Sequence, residues 1–303
     1  MKTVMSPHGQ RGFTLVELIM VIVIMGVIGG MVSVFMKSPI DAYIDSGRRA
    51  ALTDTADTTM RRVARDIQRA LPNSIRTPIG VPANQCVEFI PTKTGGRYRA
   101  EGLGALDFAA GATSFNMLGS NITFDGTEIH PDQQIDPGDE IVVYNLGIPG
   151  SDAYDASTPA LPNNRTRVSL AALTESGVPV ETTVPIDSKR FPLASGSNRF
   201  QVVSRTEQIV RYACVGASGV DAQGRGTGTL IRQVLSFPLP LASTTCPGSV
   251  IAAPVLATGV SSCSFDYSGT DLQRNALIRV TLQLTDSNET VTLLHEVHVN
   301  NTP

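Results

Sequence analysis

From Phe13 to Met36 the chain runs for about two dozen residues with one charged side chain, Glu17. As a helix rising 1.5 Å per residue, the run is roughly 36 Å long, enough to cross the hydrocarbon core of a bilayer. Beyond it the apolar residues fall mainly at three- and four-residue steps: Ile40, Tyr43, Ile44, Ala51, Leu52, Ala56, Met60, Val63, Ile67 and Leu71. The spacing predicts one long helix over 13–71, membrane-spanning in its first half (13–36) and amphipathic afterwards. Arg48, Asp54, Asp57, Arg61, Arg62, Arg65 and Asp66 occupy the opposite face, read as solvated. Ser38-Pro39 is a candidate kink, because Pro39 has no N–H to give and crowds the preceding turn. Leu71-Pro72-Asn73 is the expected stop.

From Val81 the pattern turns to strands. Cys86 to Ile90, Ile141 to Tyr144, Gln208 to Tyr212 and Ala276 to Leu284 are rich in β-formers. In the last, Ala276, Ile278, Val280, Leu282 and Leu284 share one face, with Leu277, Arg279, Thr281 and Gln283 on the other. Gly95-Gly96, Pro137-Gly138 and Asp266 to Gly269 read as turns, and Gly224 to Gly228 as a hairpin turn. Asn145 to Asn198, rich in Pro, Ser, Thr, Asn and Gly, reads as a long excursion with short elements. The predicted architecture is α+β, with the long N-terminal helix packed on a mainly β, antiparallel globular body over 72–303.

Charge changes the reading of the N-terminus. Residues 1–12 are short and basic, with Lys2 and Arg11 and no acid. An ordinary secretory signal carries its apolar region ahead of the cleavage site. Here the plausible cut, between Gly12 and Phe13, precedes the apolar run and frees an amine on Phe13. Phe13 and Glu17 are four apart and share a helix face. A carboxylate in hydrocarbon is costly unless paired, and this amine, on the same chain or a packed neighbour, is a partner for it. The helix dipole also favours an acid there.

Gly12-Phe13-Thr14-Leu15-Val16-Glu17-Leu18 resembles the prepilin cleavage and methylation motif of type IV pilins and type II secretion pseudopilins. The resemblance implies a pilin-like fold, cleavage after Gly12 by a prepilin peptidase, N-methylation of Phe13, and a role for Glu17 in packing into a helical filament. Ala70 to Arg76, Phe191 to Ser195 before Asn198-Arg199-Phe200, and Val291 to Pro303 are similar to minor pilins of the MshO type in the mannose-sensitive haemagglutinin (MSHA) type IV pilus system. That group is similar in turn to the J-type minor pseudopilins of type II secretion. The implied role is a scarce structural subunit that primes or caps a filament. Its implied partners are other pilins, reached through the N-terminal helix, and an inner-membrane assembly platform. The alternatives are a tip-displayed adhesion or cargo-binding module and a type II secretion minor pseudopilin.

The formal net charge is −3, and losing the leader with Lys2 and Arg11 makes the chain more acidic. Nucleic acid is therefore not an expected partner, since phosphate binding needs clustered positive charge. The run Arg61, Arg62, Arg65 and Arg69 reads as a solvated helix face. Cys86, Cys214, Cys246 and Cys263 form an even set without a Cys-x-x-Cys pair, which reads as two disulfides in an oxidising compartment. Three connectivities are open; the expectation is Cys86–Cys214 between strands and Cys246–Cys263 closing a local loop. With the basic leader kept in the cytoplasm, the chain is expected to cross the inner membrane once, with a periplasmic body, and then enter the pilus.

No catalytic site is evident and no cofactor is expected. His295 and His298 are three apart on a strand and face opposite ways, unlike the helical pair of a zinc protease. No Gly-x-Ser-x-Gly elbow surrounds a serine. Asp136, Asp139 and Glu140 gather three carboxylates at a turn, a weak calcium candidate, since calcium takes six to eight oxygens. A solvated turn is the plainer reading.

Overall fold

A computed structural model describes residues 12–78, 84–156, 163–240, 245–249, 252–268 and 275–303. The leader, apart from Gly12, lies outside the described residues. Helix α1 spans Leu15–Gln68, 54 residues that include Pro39 without interruption. The chain divides into two compact units, Met1–Ala51 and Leu52–Pro303.

The first unit holds the start of α1, which is apolar as far as Met36. Its large side chains from Leu15 to Met36 are exposed on every side, as are Ile40, Tyr43 and Ile44. A helix apolar all round suits a lipid or protein surrounding rather than water.

In the second unit α1 becomes one-sided. Ala56, Met60, Val63, Ala64 and Ile67 are buried in one core, with Leu52 at its margin, while Arg61, Arg62, Arg65 and Arg69 stay exposed. The helix stops three residues before Leu71. There the Leu71 N–H is taken by the Ile90 carbonyl at 2.7 Å, so a strand contact replaces the next helical bond. Asp66 corrects the solvated-face reading. It accepts from the Tyr212 hydroxyl at 2.7 Å and Arg232 Nε at 2.9 Å, tying the helix to the sheet.

That sheet is antiparallel and six-stranded, in the order β1 (Cys86–Phe89), β11 (Ile209–Val215), β12 (Gly228–Leu235), β13 (Val255–Ser268), β14 (Asn275–Asp286) and β15 (Glu289–Asn300). Val87, Phe89, Tyr212, Cys214, Phe265, Ile278, Val280, Leu282 and Leu284 share the core with the helix, so the alternation read for β14 holds. On the other face of β1, Glu88 is fully buried between Arg76, whose Nε is 2.9 Å away, and Arg211.

A second core lies among the smaller sheets. One has the order β2 (Thr94–Arg97), β10 (Arg199–Val203), β6 (Glu140–Val142), β7 (Arg165–Arg167); another β3 (Ala112–Leu118), β9 (Glu181–Lys189), β8 (Thr174–Ser176). A two-stranded hairpin pairs β4 (Thr123–Phe124) with β5 (Thr127–Glu128). Val168, Val184, Ile186 and Phe191 are buried with Phe115, Ile141 and Phe200. Much of the stretch read as an excursion is therefore integral to this core. Its pattern was obscured because β9 turns Thr182 as well as Val184 and Ile186 inward.

Two turn readings also change. Gly95 and Gly96 lie inside β2, where a Cβ would stand 2.8 Å from the Phe200 carbonyl oxygen and 2.9 Å from Met117 Sδ, respectively. These glycines serve close packing, not a bend. Asp266 to Ser268 belong to β13, and Gly269 lies outside the described residues.

The disulfides are Cys86–Cys246 and Cys214–Cys263, not the pairing expected. Cys86 stands opposite Ala213 on β11, so the next residue, Cys214, points through the sheet to the other face. Cys214 and Cys263 meet in the core under the helix. Cys86 lies with Ala213, Val215 and Ile231 on the outer face, where it holds Cys246.

Candidate functional site

The N-terminal motif forms a small, self-contained structure. Gly12 and Phe13 precede the first helical turn, and Phe13 is 89% exposed. Thr14 caps α1. Its N–H and its hydroxyl each donate to Glu17 Oε2 at 2.9 Å, and the Glu17 N–H donates to Thr14 Oγ1 at 3.3 Å. This reciprocal exchange is a capping box, which satisfies backbone donors that the helix start leaves over. Its signature, a threonine three residues before a glutamate ahead of an apolar run, is visible in the sequence, and the pairing reading passed over Thr14. Glu17 is therefore hydrogen-bonded within its own helix while the apolar surface around it is exposed. The helix is long and apolar enough to cross a membrane.

Residues 7–33 match the family described as the prokaryotic N-terminal methylation motif. The match covers 27 of the 303 residues, all in the N-terminal stretch that carries Gly12, Phe13 and Glu17. No curated protein and no solved structure matched the chain. The prepilin motif implies processing by a prepilin peptidase and assembly with pilins, and pilin-family proteins are generally structural.

Of the three carboxylates of the calcium candidate, the structure keeps Asp136 and Asp139 together and sets Glu140 apart. Lys93 Nζ lies 2.7 Å from Asp136 Oδ2 and 2.8 Å from Asp139 Oδ2. Burial pushes this ammonium down, but the two carboxylates outweigh it and hold Lys93 above the ordinary lysine value. The cation in this turn is thus a side chain. Glu140 pairs elsewhere, with Arg165 Nη1 at 3.2 Å. Among the described residues no group of three or more His, Cys, Asp or Glu could hold a metal.

His295 and His298 sit on β15 opposite Val280 and Leu277. An odd spacing on a strand puts them on opposite faces. His130 caps a short 3-10 turn through Nδ1, which accepts from the Asp132 N–H at 3.3 Å.

Proposed function

We propose that this protein is a minor pilin of the MshO type, a structural subunit that primes or caps assembly of a type IV pilus filament. The observation that carries the reading is the first half of α1. It displays apolar residues on all sides and a single carboxylate, four residues from the proposed new N-terminus. Residues 1–12 are a leader that a prepilin peptidase removes between Gly12 and Phe13, and the Phe13 amine is then methylated. Residues 13–36 hold the subunit in the inner membrane until it moves into the filament. There the Glu17 carboxylate faces the positively charged Phe13 amine of a neighbouring pilin, in surroundings too apolar for an unpaired charge. The two disulfides support a periplasmic body, since such bonds persist in oxidising compartments.

Two measurements test this reading. Mass spectrometry of purified filaments should find a peptide beginning with N-methylated Phe13. A chain that retains Gly12, or never co-purifies with filaments, overturns it. Glu17→Ala, with cleavage and folding intact, should reduce filament number; unchanged numbers remove Glu17 from assembly.

A further inference from the structure

The part of the body built from the smaller sheets holds a buried lysine that the proposed function does not involve. Lys189, at the end of β9, is 8% exposed. Its Nζ lies 2.6 Å from Oδ1 of Asn163, a side chain that is itself buried, at 3% exposure. The amide is held from both ends. Asn163 Nδ2 donates to the Asp155 carbonyl at 2.7 Å, and Oδ1 also accepts the Arg165 N–H at 3.3 Å. The amide carbonyl is thus fixed beside the lysine with a second donor on its oxygen.

The geometry points to a covalent modification site: an amide bond between Lys189 Nζ and Asn163 Cγ, formed by the folded chain itself. The reaction needs a neutral amine, a polarised carbonyl and a carrier for protons. Burial and the charge of Arg165 push the Lys189 ammonium down to about 8. The Glu140 carboxylate is the neighbouring acid whose charge acts on Lys189. Its Oε2 is buried and has no hydrogen-bond partner among the described residues, although Arg165 Nη1 is 3.2 Å away. Burial raises the Glu140 carboxyl, outweighing Arg165 and easing uptake of a proton.

Glu140 takes one proton from the ammonium. The neutral Nζ attacks Cγ, a C–N bond forms, and the carbonyl π pair moves to Oδ1, which the Arg165 N–H stabilises. A second proton passes from Nζ to Nδ2. The pair on Oδ1 re-forms the carbonyl, the Cγ–Nδ2 bond breaks, and ammonia leaves. Ammonia then carries off, as ammonium, the proton held by Glu140. No oxidant, metal or cofactor enters the balance. The product would join the end of β9 to the entry of β7, across two sheets, in the half of the body that neither disulfide reaches.

The full chain, purified from membranes in detergent, is reduced, alkylated and digested with trypsin. The expected result is one branched peptide, residues 100–165 joined to 168–190, lighter than the two together by about 17 Da, one ammonia. The amidated Lys189 would resist cleavage, so the second arm ends at Arg190. In Asn163→Ala the branched peptide should vanish and cleavage after Lys189 should return. Two linear peptides of full mass from the wild type, 100–165 and 168–189, overturn the proposal. So does an ammonia loss confined to linear 100–165, which is ring closure at an asparagine and not a cross-link.

Discussion

Glu17 has two occupations that can be separated at its own position. It accepts two hydrogen bonds from Thr14 in its own helix, and in the proposed filament it neutralises a neighbour's amine. Glutamine caps a helix start as glutamate does but carries no charge. Glu17→Gln is therefore expected to lower filament number as far as Glu17→Ala does; wild-type numbers in the glutamine variant would assign the residue to capping alone. Glu140 makes a second single-residue prediction. Burial raises its carboxyl in the folded chain, so the folded state keeps a proton that the unfolded chain has released. Stability from this group is fully present at low pH and is lost as pH rises from the unfolded value, about 4.3, through the raised folded value. Melts of wild type and Glu140→Gln across that window should show the wild type losing ground as pH rises. A pH-independent difference would contradict the raised value.

The long helix changes character along its length because its surroundings change, not its propensity. Up to Ala51 its apolar residues meet no protein core; from Leu52 a stripe of them is buried. Ile67 is fully buried against the six-stranded sheet, and Arg61 points to solvent with Asp57 at 2.7 Å. Ile67→Ala should cost about 2–5 kcal/mol through lost burial and the cavity left behind. Arg61→Ala should stay within about 0.5 kcal/mol, because exposed ion pairs contribute little. Denaturant unfolding of the two variants compares them directly; equal effects would mean that the helix does not pack as described. The three- and four-residue spacing made this face legible in advance. Asp66 was misread because charge alone does not reveal that Tyr212 and Arg232, far along the chain, meet it.

In the molecule as a whole, distant segments are held together by strand register. A non-reducing peptide map should find Cys86 with Cys246 and Cys214 with Cys263; a map joining Cys86 to Cys214 would require β1 to slip one residue against β11. Such a slip would turn Val87 and Phe89 out of the core, which is why the register is strongly specified. The N-terminal motif, the membrane-length apolar run, the helix face and the alternation in β14 were readable along the chain. Each is a pattern among residues within a few positions of one another, where backbone geometry alone decides which side chains share a face. The cysteine partners, the place of β9 in the second core, the lysine between Asp136 and Asp139, and the meeting of Lys189 with Asn163 were not. They depend on which strands pair and in what register, and that is set by burying many side chains at once, a property of no single stretch of sequence.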